Sequence, residues 1–260
     1  MELYVNQLIL EMGRDCTMNC SHCLRGSKEN AKLDVNMAKK LINSVEYIGQ
    51  IIFTGGEPLL YADEIIEIID YIMSQEKKCA GFYIASNGSL VVSKLMYKLC
   101  EFVQYCQQLY FDDEFYNCKF DISVDKFHSS ISKKNLAFYR LFRFCDTRGE
   151  NLTEENVIKE GMAYLSGYGW REFDNSPKKF YIAENNYGSK PFSEVEMLYM
   201  NSFGQMFPNC DLSYNSQREW ADEHPYYLPD IHNVKPLVNP VLQQILDWNE
   251  MLDKEKDIAA

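Results

Sequence analysis

The stretch LYVNQLILEMGRDCTMNCSHC, residues 3–23, decides the fold. Leu3 to Glu11 reads as a strand, and a loop carrying Cys16, Cys20 and Cys23 follows it directly. The same arrangement returns further along the chain. Gln50 to Phe53 is a short apolar strand ending in Thr54-Gly55-Gly56-Glu57-Pro58, Gly81 to Ala85 ends at Ser86-Asn87-Gly88, and Cys118 to Val124 runs into Asp125-Lys126-Phe127-His128. Helices separate these strands. Asp34 is the expected N-cap of a helix reaching about Tyr47, with Met37, Leu41, Ile42 and Val45 on one face. Asp63 to Gln75 buries Ile65, Ile66, Ile69 and Ile72, and Val91 to Tyr105 is helical again. Strand and helix in alternation predict a parallel α/β sheet.

The rest of the chain is expected to carry helices over Ser132 to Cys145 and Thr153 to Leu165, then a fifth strand over Lys179 to Ala183. Pro191 to Asn201 and Gln205 to Cys210 read as a strand pair turned at Ser202-Phe203-Gly204, and Pro240 to Leu252 as a closing helix. A core domain over residues 1–190 and a C-terminal extension over 191–260 are expected, with a soft boundary. The segment Tyr105 to Phe120, with Asp112, Asp113 and Glu114, reads as packing, with a substrate-side loop as the alternative.

Composition removes several function classes. With 26 Lys and Arg against 38 Asp and Glu, the net charge is −12, which disfavours a nucleic-acid partner because phosphate contacts need a cationic face. At 46% hydrophobic residues the chain is not disordered as a whole. No apolar run approaches the roughly 18 residues a membrane span needs. The opening Met-Glu-Leu-Tyr has no basic, leader-like start, so a cytoplasmic protein is expected. Nine cysteines, an odd number, then read as reduced thiols or metal ligands and not as a disulfide framework.

Three thiolates within eight residues, CxxxCxxC, can wrap one small cluster. They cannot saturate a 4Fe–4S cube, which takes four ligands, so one iron stays open for catalysis. The other reading is a zinc site completed by His22 or by a distant residue. Taken with Gly-Gly-Glu-Pro, Ser-Asn-Gly and Ser123-x-Asp125 at successive strand ends, the loop resembles the radical S-adenosylmethionine (SAM) superfamily over residues 1 to about 130. The resemblance implies a partial (β/α)6 barrel, here with a small C-terminal β-hairpin plus helix extension, and a site at the strand C-termini. It implies one 4Fe–4S cluster on Cys16, Cys20 and Cys23, whose open iron binds the methionine end of SAM. Gly55 and Gly56 would let the ligand approach the backbone, Glu57 would face the methionine ammonium, and Ser86 and Asn87 would add polar contacts. Ser123 and Asp125 would meet the ribose, and His22 would stand near the adenine.

The expected activity is reductive SAM cleavage to a 5′-deoxyadenosyl radical acting on a peptide or small metabolite, fed by an electron donor such as flavodoxin or ferredoxin. A glycyl-radical activating enzyme and a non-catalytic Fe–S or zinc protein are the alternatives. Asn201 to Cys210 is similar to the hairpin opening the SPASM-type extension of peptide-modifying relatives, without its other cysteine ligands. Cys79, Cys100, Cys106, Cys118, Cys145 and Cys210 are expected to be packing thiols. Lys126 and Arg143 are candidate partners for the SAM carboxylate, and His128 is a candidate contact.

Overall fold

The computed structural model describes residues 1–109, 117–169, 174–187, 190–235, 237 and 239–259; Asp112, Asp113 and Glu114 lie outside them. Strand β1 (Glu2–Glu11) is followed by α1 (Val35–Ser44), β2 (Tyr47–Thr54), a 3-10 turn at Pro58–Tyr61 and α2 (Ala62–Ser74). Then come β3 (Lys78–Cys79), β4 (Phe82–Ser86), α3 (Ser93–Leu109), β5 (Lys119–Ser123), α4 (Lys133–Tyr139) and β6 (Cys145–Arg148). The chain closes with α5 (Gly161–Leu165), β7 (Ile182–Tyr187), β8 (Lys190–Met200), β9 (Met206–Phe207), α6 (Tyr214–Glu223) and α7 (Pro240–Ala259).

The main sheet runs β6-β5-β4-β2-β1-β8-β7. All of its strands are parallel to their neighbours except β7, which is antiparallel to β8. The path has two free ends, β6 and β7, so the sheet is an open, partial barrel of six parallel strands. Burial follows the layout. Leu8, Ile9, Leu10 and Glu11 are all buried because the end of β1 is covered on both faces. In α2 the buried stripe is Ala62, Ile65, Ile68, Ile69 and Ile72, and Ile66 sits at its edge. Asp34 caps α1, accepting a hydrogen bond from the Asn36 amide at 2.9 Å.

Three expectations are corrected, and a fourth is extended. The helix expected over Ser132 to Cys145 stops at Tyr139, and Cys145–Arg148 forms edge strand β6, whose short polar sequence carries little strand signal. Over Thr153 to Leu165 only Gly161–Leu165 is helical; Gly161 has φ +57°, a left-handed backbone that α-helix cannot run through. The fifth strand lies at Ile182–Tyr187 and is antiparallel. The expected C-terminal hairpin is present as β8 and β9, paired at Tyr199–Phe207 and Met200–Met206, but its first strand is also a barrel strand. From Glu2–Phe192 to Leu10–Met200, β8 is registered in parallel against β1. The sheet therefore runs straight through residue 190. Val195, Leu198, Tyr199 and Met200 are fully buried, which a free hairpin could not achieve.

Candidate cofactor site

The loop from Met12 to Leu33, between β1 and α1, folds back on its own backbone. Arg14 N donates to Ala31 O at 2.9 Å, Leu33 N to Met12 O at 3.0 Å, and Cys23 N to Cys20 O at 3.1 Å. The end of β2 clamps it from the side: Gly56 N donates to Gly13 O and Glu57 N to Asp15 O, each at 2.9 Å. These contacts explain the two glycines. A Cβ on Gly55 would stand 2.2 Å from Gly13 O, and one on Gly56 would stand 2.1 Å from Asp15 O. The missing side chains make room for the cysteine loop itself.

Gly161 performs the same service from the far side, and no local signal marks it. A Cβ there would meet Leu24 O at 2.2 Å and Cys23 O at 2.7 Å, and the next amide, Met162 N, donates to Cys23 O at 2.8 Å. Gly161→Ala is expected to cost about 1–3 kcal/mol of stability and to lower iron retention, because it combines a left-handed φ with a backbone clash. Urea unfolding with an iron count checks this.

Glu57, Ser86 and Asn87 form one connected lock. The buried Glu57 carboxylate accepts hydrogen bonds from Ser86 Oγ at 2.8 Å, Asn87 N at 2.9 Å and Leu59 N at 3.1 Å. It thus ties the ends of β2 and β4 together. Burial pushes its pKa above the ordinary value, and these three donors pull against that. Ser86 is used again, accepting from Gly88 N at 3.0 Å. Asn87 faces the cysteine loop: its Nδ2 donates to Thr17 Oγ1 at 2.9 Å and lies 3.7 Å from Cys16 Sγ.

At the end of β5, Ser123 accepts from Arg148 Nε at 3.4 Å. Asp125 turns the other way. It accepts from Phe127 N at 2.9 Å and His128 N at 3.1 Å, and both its oxygens lie 2.8 Å from His128 Nδ1. Burial would raise the Asp125 pKa, but the His128 hydrogen bond, the Phe127 amide and the nearby His128 and His22 rings together outweigh it and hold the carboxyl below its usual range. His22 stacks on Phe127, with ring centroids 4.6 Å apart, and meets His128 edge-on at 5.0 Å.

Lys126 pairs with Glu154 at 2.9 Å, and Arg143 is exposed on the α4–β6 connection. Arg148, at the end of β6, is the cation that lines the site near β5. Its Nη1 donates to Tyr83 OH at 2.8 Å, and it has no carboxylate partner among the described residues. It was missed because β6 itself was missed.

Beneath the loop lies a buried polar network that the sequence reading also missed. Glu11, fully buried, accepts from Arg14 Nε at 2.8 Å, Ser202 Oγ at 2.8 Å, Ser202 N at 3.1 Å and the Tyr199 hydroxyl. Arg14 continues to Glu29 at 2.9 Å and Gln217 at 2.6 Å. Arg25 donates to the carbonyls of Cys210 at 2.6 Å and Leu212 at 2.7 Å, while its own carbonyl accepts from Tyr214 N at 2.9 Å. Arg14 and Arg25 flank the cysteine run in sequence, so the segment after β8 clasps both ends of that run.

The cysteine loop and the ends of β2, β4, β5 and β6 open on one cavity of about 660 Å3. Cys16, Cys20 and Cys23 all line it, as do Gly55, Gly56, Glu57, Ser86, Asn87, Ser123 and His22; Asp125 stands behind His128 and does not. The three thiols are free and partly exposed. Burial, with the neighbouring Cys23 and Cys16 sulfurs and the Asp125 carboxylate, pushes the Cys20 thiol up to about 12. Burial also raises Cys16. Raised this way, Cys16 and Cys20 remain protonated until a cationic centre takes them up as thiolates. Three sulfur donors around one cavity, with Met18 N 3.4 Å from Cys16 Sγ as an added amide donor, fit a 4Fe–4S cube with one iron left open. Cys79, Cys106 and Cys118 are buried in the core instead.

Comparison with known proteins agrees with this donor set. Residues 9–135 match a family described as a 4Fe–4S single cluster domain. The chain is 34% identical over 104 residues to an uncharacterized protein of Methanocaldococcus jannaschii, covering 37% of this chain and 35% of that protein. It is 32% identical over 89 residues to the AdoMet-dependent heme synthase of Oleidesulfovibrio alaskensis, covering 32% of this chain and 22% of that one. Against the L-lysine 2,3-aminomutase of Buchnera aphidicola it is 27% identical over 108 residues, covering 38% of this chain and 31% of that one. The chain thus spans about a third or less of the length of these relatives. With the cysteine loop, the strand-end lock and the partial barrel in place, the first half of the chain is similar to the radical SAM superfamily, to which a 4Fe–4S cluster and SAM are common.

Proposed function

We propose that this chain cleaves SAM reductively and uses the resulting radical to take hydrogen from a small metabolite or peptide. The observation that carries the reading is the opening of three free thiols from one loop onto the same cavity as four strand ends. When bound, a reduced cluster would supply one electron to the sulfonium of SAM, and the pair would supply the hydrogen-abstracting chemistry.

The chain's own groups position and enclose that chemistry. Cys16, Cys20 and Cys23 hold the cluster. Asn87 and Met18 N aim weak donors at Cys16 Sγ. Glu57 acts through Asn87 and Ser86, holding the β4 end against the loop. Arg148, a cation with no acid partner among the described residues, receives the SAM carboxylate, and Ser123 beside it offers a hydroxyl to the ribose. His22, backed by its stack on Phe127, presents its ring to the adenine. Leu152, Val157, Ile158 and Met162 line the outer side of the cavity and exclude water from the radical step. A flavodoxin or ferredoxin supplies the electron.

Anaerobic reconstitution with iron and sulfide, followed by SAM and dithionite, is expected to yield 5′-deoxyadenosine. A chain that holds its irons and yields none would overturn the reading. Arg148→Gln is expected to raise the KM for SAM about tenfold with a smaller change in kcat, the size of one charge-assisted hydrogen bond at a partly solvated site. Steady-state SAM cleavage against SAM concentration measures it.

A further inference from the structure

One ring nitrogen of His22, one of His128 and the Cys20 sulfur all lie within 4.8 Å of one another. Two features mark this as more than crowding. His128 Nδ1 lies 2.8 Å from both Asp125 oxygens, so it carries the proton and leaves Nε2 with a free lone pair. A carboxylate behind a histidine is the arrangement that orients histidine ligands in metal sites. His22 Nδ1 is buried and has no hydrogen-bond partner, so it is open to a ligand that the protein itself does not supply. Its ring is fixed by the Phe127 stack and its Nε2 is 4.0 Å from Asp125 Oδ2.

We propose that, in the cluster-free chain, Cys20, His22 and His128 form a mononuclear site for a divalent transition ion, zinc above all, whose occupancy excludes the cluster because both need Cys20. One thiolate and two imidazoles suit zinc or cobalt and do not suit magnesium or calcium. Bonds of about 2.0–2.3 Å in a tetrahedron bring three such donors together with small side-chain shifts and leave a fourth position for water. Zinc stands above ferrous iron in the general affinity order, so it competes for the loop before the cluster is built. The ion site is independent of the proposed activity; only its exclusivity rests on Cys20 serving the cluster.

The test uses iron-free protein and Co2+ alone. One Co2+ per chain is expected, with a thiolate-to-cobalt band in the near ultraviolet and visible bands of tetrahedral intensity. Cys16→Ala should keep both spectrum and stoichiometry. His128→Ala should weaken binding more than about 100-fold, and Asp125→Asn about 10–100-fold. His22→Phe keeps the stack on Phe127 while removing the donors, and should lose binding as His128→Ala does. Prior loading with Zn2+ should slow cluster assembly in the wild type and leave it unaffected in His128→Ala, which still carries the three cysteines. Unchanged cobalt spectra in both histidine variants, or loss of the spectrum in Cys16→Ala, would overturn the proposal. The cobalt result is read without SAM, so absence of 5′-deoxyadenosine formation leaves it standing.

Discussion

Cys20→Ala, reconstituted without oxygen, is expected to fall from about four irons per chain to fewer than about one and to form no 5′-deoxyadenosine above background. Two remaining loop thiolates cannot hold a cube that already lacks its fourth protein ligand. The fold should survive, because the loop is shaped by backbone bonds in which the Cys20 side chain takes no part. Cys23 N to Cys20 O, Gly56 N to Gly13 O, Glu57 N to Asp15 O and Met162 N to Cys23 O all remain. Urea unfolding of the iron-free forms should therefore agree within about 0.5 kcal/mol. Near-normal iron content in the variant would show that Cys20 is not a ligand. A large loss of stability without any change in iron would show it to be structural.

Glu11→Ala is expected to be the most damaging single change for stability, at about 3–5 kcal/mol. The side chain is fully buried and stands between two buried guanidinium groups, Arg14 and Arg25. Removing it leaves uncompensated positive charge in the interior and strips the Tyr199 hydroxyl and Ser202 of their acceptor. At roughly 2–4 °C per kcal/mol for a chain of this size, the melting temperature should drop by about 6–20 °C. The acid limb follows from the same contacts. Burial would raise the Glu11 pKa, but Arg14, Arg25 and the Tyr199 hydrogen bond hold it below its ordinary 4.5. A depressed carboxyl stabilises the fold above its unfolded pKa, and that contribution is lost as pH falls through the folded value. Glu11→Gln should flatten this part of the stability curve below about pH 4.5. A loss under about 1 kcal/mol in Glu11→Ala would mean the network is not the clasp described here.

The strand-end motifs were legible because each sits where a short apolar run gives way to small or polar residues, a local signal. The helices of the first half were legible for the same reason, through their 3.6-residue stripes. The reading weakened beyond residue 130. Cys145 to Arg148 is short and polar, and becomes a strand only because β5 offers it an open edge. Arg148 was lost with it. The segment 191–200 looked like half of a hairpin, since nothing local announces that β1 needs a parallel neighbour on its second side.

By itself the sequence determined the cluster loop, the order of the first four long strands with the helices between them, and the family they signal, because spacing and periodicity are properties of neighbouring residues. The tertiary structure alone decided the rest. It set Gly13, Asp15, Cys23 and Leu24 against glycines far along the chain, buried Glu11 between two arginines, placed the clasp after β8 around the loop, and brought His128 against Cys20 and His22. Those relations are close approaches between segments distant in sequence, and only the packing of the sheet brings such segments together.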